Sequence, residues 1–447
     1  MRSVAFRQQN RHFSPVVLLV RSPAISAGPT PLPPAIHSAR PRITPAQGTL
    51  LLLIGLNLLN YIDRYIFPGE LVLVQREFHA TDHQMGALAT ALFLFYMIAA
   101  PLTGWLGDRY PRKPLIIAGA VLWSLATLGT VWVHGYWTFY LRQALVGIGE
   151  ASFGIFAPAV LSDFYPERER NRILSVFYLA IPVGASLGYL AGGQIGPHWG
   201  WRAPFLVCAI PGLLIAAFYG WFGTEPERGA SDQILPTVNR STFRGLFTNP
   251  AYLTGTFGLA ALTFAMGGIS NWVPTFLHRS AGLSVGRASL VVGAITVVDG
   301  IGGTLTGGWI AQRWLRTDHR ALYLLSFWSV VLTLPCGLLV FFGPTAWAIP
   351  SLFAAEFFLF LNTGPLNAAI VNSVSAPVRA TAIACNLFII HCFGDTFSPQ
   401  IIGYLSDRVH SLRMALGATL IALVVSGVIL RAGARFAPAL EDPASGF

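Results

Sequence analysis

The stretch LNLLNYIDRYIF, residues 56–67, places an aspartate and an arginine side by side inside an otherwise apolar run. A charged side chain at the centre of a membrane-spanning helix costs about 2.5–3.5 kcal/mol on insertion scales, so Asp63 and Arg64 need a physical reason to be there. At about 100° per residue, Asn60, Tyr61 and Arg64 share one side of a predicted helix, with Asp63 at its edge. We expect this polar side to face a water-filled cavity. The alternative is an internal ion pair that only fixes helix packing.

The composition indicates a polytopic membrane protein. Of 447 residues, 54% are hydrophobic and only 11% are charged, far from the balance of a soluble domain. A spanning helix needs about 20 apolar residues, and the apolar runs are too long for the alternating strands of a membrane barrel. We therefore predict an all-α protein with twelve transmembrane helices. The predicted spans are 48–70, 84–107, 113–133, 137–163, 171–194, 202–222, 249–277, 287–311, 320–342, 345–373, 379–404 and 412–431.

The second half of the chain repeats the first. The loop after span 2 reads GWLGDRYPR at 104–112, and the loop after span 8 reads GWIAQRWLR at 308–316. The two loops match at the glycine, the tryptophan and two arginines, which predicts two pseudo-symmetric six-helix bundles with a cavity between them. The predicted organisation is a disordered basic cytoplasmic tail at 1–46, bundles at 47–223 and 248–432, a cytoplasmic linker at 224–247, and a cytoplasmic tail at 433–447.

The formal charge of +10 is distributed as topology signals. Basic residues cluster before span 1 and after spans 2, 4, 6 and 8, whereas the alternate loops around His134 and Ala346 carry almost no charge. By the positive-inside rule we expect both termini in the cytoplasm and the protein in the plasma (inner) membrane. The basic residues form no single face, so nucleic acid is not an expected partner. The four cysteines fall inside spans without metal-ligand spacing, so neither a metal nor another cofactor is expected.

The loop after span 2 carries the pattern of a known family. Gly104, Asp108, Arg109, Arg112 and Lys113 fit the motif Gly-x-x-x-Asp-Arg-x-x-Arg-Lys, so the chain resembles the major facilitator superfamily over nearly its whole length. Five segments resemble its spinster branch: NYIDRY at 60–65, LVGIGEASF at 145–153, FYLAIPVGASLGYLAGG at 177–193, RATAIA at 379–384 and HCFGDTFSP at 391–399. The resemblance implies the major facilitator fold and a transporter, since spinster members move lysolipids and sphingoid phosphates.

Span 4 places a further acid near the middle of the membrane. Gln143, Gly147, Glu150 and Gly154 are spaced four, three and four apart and form one face, where small glycines let a helix or a ligand approach. We expect Glu150 to carry a proton or to bind substrate. A structural hydrogen bond to a neighbouring helix is the alternative.

The chain departs from the family pattern at Gln143, where the family has an arginine seven residues before the glutamate. Arg142 is rotated by about 80° from Glu150, so its long side chain reaches the cavity only by bending. Arg64 is therefore the better candidate for an anionic head group, because a guanidinium binds a phosphate or carboxylate in a bidentate manner.

The second half offers further polar faces. His391 and Asp395 are four residues apart on span 11, and Asp299 stands alone in span 8. A packing role is the alternative for His391 and for Asp299. Across both halves, the predicted substrate-binding residues are Asn60, Tyr61, Arg64, Arg142, Phe153, Trp272, Glu356, Thr363, Asn367 and His391. The predicted proton-coupling residues are Asp63, Glu150 and Asp395, and we expect Asp63 and Glu150 to border the cavity.

The basic loop after span 2 has a different predicted role. We expect Asp108 to face the positive end of span 11 near 377–381, and Arg109 and Arg112 to pair with acids such as Asp163 when the cytoplasmic side is closed. A purely topological role for the basic residues is the alternative. The predicted conformational latch comprises Gly104, Asp108, Arg109, Arg112 and Lys113, together with Gly308, Gln312, Arg313 and Arg316 in the second half.

These observations predict a secondary transporter that works by alternating access, is coupled to protons, and moves an amphiphilic anion of the lysolipid or sphingoid-phosphate type. The chain has no Gly-x-x-x-x-Gly-Lys-Ser/Thr loop, so ATP-driven transport is not expected. One alternative is a proton-coupled symporter of small organic carboxylates. Another is a membrane-embedded lipid-modifying enzyme, for which His391, Asp395 and Ser398 are the only catalytic hint; a receptor or scaffold would not need mid-membrane carboxylates. We expect a monomer without enzyme activity.

Overall fold

The computed structural model describes residues 44–227, 245–374 and 378–438, and within these ranges it contains helices and no strand. The helices form twelve spans, as the hydropathy pattern predicts. In chain order the spans are α1 (Pro45–Phe78), α2 (Asp82–Arg109), α3 (Arg112–Leu128), α4 (Tyr136–Phe164), α5 (Glu167–Tyr178 and Ala180–Trp199), α6 (Ala203–Phe222), α7 (Pro250–Ala281), α8 (Val285–Trp314), α9 (Ala321–Phe342), α10 (Ala348–Leu361 and Thr363–Asn372), α11 (Arg379–Ile390, His391–Asp395 and Ser398–Val409) and α12 (Leu412–Gly417 and Thr419–Gly433).

Eleven of these described spans are long and apolar enough to cross a membrane. The twelfth, α11, is interrupted by the π-helical turn His391–Asp395, in which Gly394 leaves the helical backbone at φ −105° and ψ −106°. A side chain at Gly394 would collide with Thr263 of α7, so glycine permits this close approach. The helical spans and their division into two halves confirm the predicted fold class.

The helix ends differ from the predicted span ends because polar turns continue the helices. Helix α1 runs to Phe78, well beyond its predicted end at residue 70, through a segment that holds Gln75 and Glu77. The predicted tail at 1–46 overlaps the described residues only from residue 44, and α1 already begins at Pro45. Residues 1–43, 228–244, 375–377 and 439–447, which include most of the predicted tails and linker, lie outside the described residues.

Side-chain caps fix several helix starts. Thr44 and Thr81 each accept a hydrogen bond from the backbone of the glutamine three residues later, and that glutamine accepts one from the cap residue. Asn249 and Ser284 accept similar bonds at the starts of α7 and α8. Such caps satisfy N–H groups that have no partner inside the helix. The starts of these helices therefore follow from local sequence.

The internal repeat is visible in one side-chain contact. The guanidinium of Arg109 stacks on the ring of Trp105 at 3.9 Å, and that of Arg313 stacks on Trp309 at 4.3 Å. Each pair is four residues apart near the end of the second helix of its half, where neighbouring turns bring the two side chains together. The duplicated Gly-Trp-x-x-x-Arg segments therefore adopt the same local structure in both halves.

The two faces of the molecule are distinguished by their turns. Because the number of spans is even, α1 begins and α12 ends on the same face, here termed the terminal face. The turns between α1 and α2, between α7 and α8, and between α11 and α12 lie on the opposite face, here termed the far face.

Hydrogen bonds between the halves close the far face. At the start of α2, Asp82 accepts bonds from Arg279 at 2.8 Å and from Ser406 at 2.6 Å. Asp407 in turn accepts the backbone N–H groups of Asp82 and His83 at 3.0 and 2.9 Å. A carboxylate at a helix N-terminus is stabilised by the free N–H groups and by the helix dipole. These contacts tie α2 of the first half to α7 and α11 of the second.

Below the far face, glycines let the halves pack closely. A Cβ atom at Gly86 of α2 would collide with the Pro399 carbonyl on α11, and one at Gly193 of α5 would collide with Ser289 on α8. Ser289 also donates a hydrogen bond to the Gly69 carbonyl of α1 at 2.7 Å. The seam between the halves therefore runs along α2–α11 and α5–α8 from the far face toward the middle of the molecule.

Candidate functional site

A cavity of about 270 Å³ lies between the two halves at the middle depth of the helices. Seven spans contribute to its wall, and most of the lining side chains are apolar or aromatic. One arginine, two carboxylates and one histidine are the charged or chargeable exceptions besides tyrosine. The lining residues are Tyr61, Arg64, Tyr65, Phe93, Ile181, Tyr189, Thr263, Met266, Gly267, Ile269, Ser270, Thr296, Glu356, Leu359, Phe360, His391 and Asp395.

Arg64 connects the cavity wall to a buried acid. Its Nη2 atom donates to Oε2 of Glu150 on α4 at 2.5 Å. The Arg64 side chain keeps 14% of its surface exposed, whereas the Glu150 side chain is fully buried behind it. The ring centroids of Tyr61, Phe93 and Tyr96 lie 5.1, 5.2 and 5.9 Å from the guanidinium carbon. Because ring faces attract cations, these aromatic residues stabilise the charge of Arg64 while leaving part of it open to the cavity.

The neighbouring residue Asp63 belongs to a different ion pair. Its Oδ1 atom accepts a hydrogen bond from Nη2 of Arg142 at 2.7 Å, and its Oδ2 atom accepts one from the Thr127 hydroxyl. Arg142 also donates to Thr130 at 3.2 Å and to Gln143 at 2.5 Å. The side chains of Arg142 and Asp63 keep only 4% and 2% of their surfaces exposed. These residues of α1, α3, α4 and the turn after α3 form a buried polar cluster outside the lining of the cavity.

These pairs correct two expectations. Asp63 and Glu150 do not line the cavity, and Glu150 is linked to it only through Arg64. Arg142 does not line the cavity either, since each of its three guanidinium nitrogens already donates to a side chain of the buried cluster. The rotation of Arg142 away from the Glu150 face of α4 turns it toward α3 and α1. Asp63 thus takes part in an internal ion pair, as in the alternative given for Asp63 and Arg64, but its partner is Arg142 and not Arg64.

The π-helical turn of α11 shapes part of the wall that the second half contributes. Nδ1 of His391 lies 2.9 Å from Oδ1 of Asp395, and both residues line the cavity. The ring of Tyr96 from the first half lies 5.8 Å from the His391 ring, so the two halves meet at this depth. Single π-helical turns recur at functional sites, where they change the direction of side chains.

Two further acids lie on neighbouring helices of the second half. Glu356 of α10 lines the cavity, and its Oε2 atom lies 3.4 Å from the Thr296 hydroxyl of α8. Asp299 is one turn further along α8 and is fully buried. Neither carboxylate oxygen of Asp299 has a hydrogen-bond partner in the part of the chain that the structure describes. A buried carboxylate without a partner is costly in its charged form.

Five predicted substrate-binding residues besides Arg142 lie outside the cavity wall. Asn60 and Phe153 are buried among the helices of the first half, and Trp272 is buried where α7 packs against α11. Thr363 and Asn367 have exposed side chains on the second segment of α10. The predicted residues that do line the cavity are Tyr61, Arg64, Glu356, His391 and Asp395.

The predicted latch residues of the first half make contacts inside that half. Arg112 donates to Asp163 at 2.5 Å, as the sequence led us to expect. Glu225 accepts the backbone N–H groups of Arg112 and Lys113 at 2.5 and 3.0 Å. Both partners of the Arg112 ion pair belong to the first half, so the pair itself does not join the halves. Its dependence on closure of the cytoplasmic side stays a prediction.

The remaining latch residues are only partly constrained by packing. A Cβ atom at Gly104 or at Gly308 would meet open space, so neither glycine is required by a neighbour in this conformation. Arg109 and Arg313 stack on tryptophans of their own helices, while Gln312 and Arg316 lie at the end of α8 and just after it. The expected partner region of Asp108, near 377–381, lies partly outside the described residues.

Glu70 is a buried acid that hydropathy placed at the end of the first predicted span. It lies two turns after Asp63 on α1, fully buried, with its carboxylate close to Gly196 of α5. Neither of its carboxylate oxygens has a hydrogen-bond partner within the described residues. The seven-residue spacing from Asp63, which puts both acids on one helix face, is the signal that could have marked it.

Two six-helix halves, closed on one face around a charged cavity at mid-depth, define a polytopic membrane transporter. The profile of the Major Facilitator Superfamily matches residues 53–399. Protein spinster homolog 1 of Xenopus tropicalis is 34% identical over 388 residues, covering 80% of this chain and 73% of that protein. Sphingosine-1-phosphate transporter SPNS2 of Danio rerio is 34% identical over 389 residues, covering 81% and 76%. The chain belongs to the major facilitator superfamily and, within it, to the spinster family.

A solved structure shares the fold. It is a bacterial homolog of the human lysosomal transporter Spinster, in an inward-facing and occupied conformation, with a TM-score of 0.76 and 20% sequence identity. The match covers 88% of this chain and 98% of that chain. The family profile and the two relatives confirm the family predicted from the sequence motifs. It is a family of transporters, so the alternative of a lipid-modifying enzyme is not supported.

Proposed function

We propose that this protein moves an amphiphilic anion of the lysolipid or sphingoid-phosphate type across the membrane by alternating access, coupled to protons. The partly exposed guanidinium of Arg64 in the cavity wall is the observation that carries the proposal. One of its nitrogens bonds Glu150, and the side chain still faces the cavity. A guanidinium can hold a phosphate or carboxylate through two parallel N–H···O bonds, which suits an anionic head group.

The cavity favours a small charged head joined to an apolar tail. Its volume of about 270 Å³ is at the low end for ligand pockets, which suits a head group better than a whole lipid. Asp395, on the part of the wall that the second half contributes, supplies negative charge for an amine in the same head group. One of the relatives is named a sphingosine-1-phosphate transporter, and sphingosine-1-phosphate is an amphiphile of this class.

Arg64 provides a link between substrate and proton. An anionic head group at Arg64 competes with Glu150 for the same guanidinium. A buried carboxylate that loses its cationic partner is unstable as a charge and takes up a proton instead. Substrate binding and protonation of Glu150 thus depend on each other, so a proton gradient can bias the transport cycle.

The arginine clusters support an orientation for this cycle. The positive-inside rule places the terminal face in the cytoplasm of a cell whose plasma (inner) membrane holds the protein. The hydrogen bonds around Asp82 and Asp407 then seal the outer side. Rocking of the two halves would exchange this seal for one at the terminal face. Both halves belong to one chain, so a monomer is sufficient.

A flux screen with the purified protein in proteoliposomes tests this function. Lysolipids, sphingoid phosphates and small organic acids are offered one at a time, with and without a pH gradient, and liposomes without protein are the control. We expect flux of the phosphate-bearing amphiphiles and an increase of that flux with the gradient. Flux of small organic acids alone would support carboxylate symport instead. A flux that does not change with the pH gradient would contradict the proposed coupling to protons.

A further inference from the structure

Two acids of the second half lack the arginine partners that Asp63 and Glu150 have in the first half. Asp63 and Glu150 are each bonded to an arginine. Glu356 has only a long contact to the Thr296 hydroxyl, and Asp299 has no hydrogen-bond partner in the described residues. Their charges therefore need another form of compensation.

One stripe of α8 packs against α10 and includes Asp299. Thr296 lies 3.4 Å from Glu356, and Cβ atoms at Gly303 and Gly307 would collide with the α10 backbone. Positions 296, 299, 303 and 307 are three, four and four residues apart, so they share one face of α8. Asp299 therefore lies on the α8 face that packs against α10, one turn from the Thr296 that contacts Glu356. Two like charges placed in this way raise each other's cost.

No basic side chain of α8, α9 or α10 is near these acids. Arg287 and Arg313, at the two ends of α8, are about 18 and 21 Å from Asp299 along the helix axis. The described residues of α9 and α10 contain no lysine, arginine, histidine or further acid besides Glu356. In α7, His278 and Arg279 lie at the far end.

The groups that face Glu356 across the cavity are either neutral or already paired. Tyr65 of α1 and Tyr189 of α5 are neutral phenols at ordinary pH. The two basic residues of the cavity wall each have an acidic partner already. Arg64 is bonded to Glu150, and His391 is bonded to Asp395. A proton is therefore the simplest cation that can compensate Asp299 and Glu356.

The two acids also lie beside the seam between the halves. Gly300, next to Asp299, packs against Pro182 of α5, and Gly293 packs against the Ser186 carbonyl. This α5–α8 contact must change when the far face opens, so the surroundings of the acids change with it. A proton bound there is thereby coupled to the position of the two halves.

We propose that Asp299 and Glu356 share one proton and form a second proton-binding site of the transport cycle, in addition to Glu150. The inference deepens the proposed proton coupling and rests on the proposed function. Two neighbouring carboxylates, one buried and one on the cavity wall, titrate as a unit, because a proton bound to either of them removes the cost of two like charges. The second half would thus bind one proton of its own, in addition to the proton that Glu150 takes up in the first half.

Infrared spectroscopy of the purified protein tests the site without any substrate. A protonated carboxyl gives a C=O stretching band that is separate from the carboxylate bands. Subtracting the spectrum of Asp299→Asn or of Glu356→Gln from that of the unsubstituted protein should leave such a band, and the two difference bands should disappear over the same pH range. Asp318→Asn, which changes an acid in the α8–α9 loop, is the matched control and should show no band. Absence of a difference band in both variants would overturn the inference.

Transport in proteoliposomes supplies the second measurement. One coupled proton can raise the accumulation ratio of a substrate by up to about tenfold for each pH unit of gradient. Asp299→Asn should lower the accumulation ratio by up to that factor and retain counterflow exchange, with Asp318→Asn unchanged. An unchanged ratio in Asp299→Asn would overturn the coupling role. If the unsubstituted protein moves no lysolipid, the proposed function fails, whereas the infrared bands still decide whether the acids share a proton.

Discussion

Arg64 of α1 and Glu150 of α4 form an ion pair of 2.5 Å in which the arginine lines the cavity and the glutamate is buried behind it. The adjacent residue Asp63 bonds Arg142 at 2.7 Å in a buried cluster. Consecutive residues of one helix thus serve two clusters, one open to the cavity and one closed. Substitutions in the first should change transport, and substitutions in the second should change stability.

Glu150→Gln should abolish gradient-driven flux and leave counterflow exchange of the substrate. The amide keeps the size of the side chain and can still accept a hydrogen bond from Arg64, but it cannot take up a proton. Both fluxes are measured in proteoliposomes with the same substrate. An equal loss of both would indicate that Glu150 has only a structural role.

Arg64→Ala should weaken the binding of anionic amphiphiles about tenfold to a hundredfold, because a hydrogen-bonded charge pair contributes about 1.5–3 kcal/mol. Neutral amphiphiles of the same chain length should be affected much less. Binding to the purified protein is measured by calorimetry. Arg64→Lys is the matched control, because it keeps the charge and loses the bidentate geometry. Its affinity for anionic amphiphiles should lie between that of the unsubstituted protein and that of Arg64→Ala. An equal effect on charged and neutral ligands would contradict the head-group assignment.

Asp63→Ala should destabilise the protein by about 3–5 kcal/mol, because it leaves Arg142 buried without a counter-charge. Thermal unfolding in detergent, at matched protein and detergent concentrations, measures the effect. The double variant Asp63→Ala/Arg142→Leu removes both charges and should recover a large part of the loss. If the single and double variants unfold at the same temperature, the two side chains do not act as a pair.

The spans and the two halves could be predicted because length and hydropathy decide them. An apolar run of about 20 residues in lipid has to satisfy its own backbone, and a helix does so. The duplicated loops also marked a real structural repeat, since Arg109 and Arg313 stack on tryptophans in the same way.

The partners inside the site could not be predicted in the same way. Whether Asp63 bonds Arg142 or faces the cavity depends on the mutual rotation of α1, α3 and α4, which hydropathy leaves open. Helix geometry correctly turned Arg142 away from Glu150, but the expectation that its long side chain bends into the cavity was wrong, because the guanidinium bonds Asp63 instead. Phe153 and Trp272 show the same limit, because an aromatic side chain suits helix packing as well as a cavity wall.

The π-helical turn of α11 lies beyond sequence periodicity as well. It depends on the backbone of Gly394 and on the close approach of Thr263 from another helix. The motif at 391–399 marked His391 and Asp395 as polar residues four apart, but an uninterrupted helix was the natural expectation. Irregular backbone of this kind requires long-range contacts that a local pattern does not contain.

Asp82→Ala should loosen the far face. The substitution removes the acceptor of Arg279 at 2.8 Å and of Ser406 at 2.6 Å, two of the contacts that hold α2 against α7 and α11. The balance between conformations should therefore shift toward states in which the far face is open.

The measurement is the distance between two spin labels, one on the turn at His79 and one on the turn at His410, which belong to different halves. The labels are placed in a background whose four cysteines are replaced by serine. We expect a broader distribution with longer distances in Asp82→Ala, and an unchanged distribution in Glu77→Gln, whose hydrogen bonds to Trp201 and Arg202 stay within the first half. An unchanged distribution in Asp82→Ala would show that the glycine seams below this face hold the halves together without it.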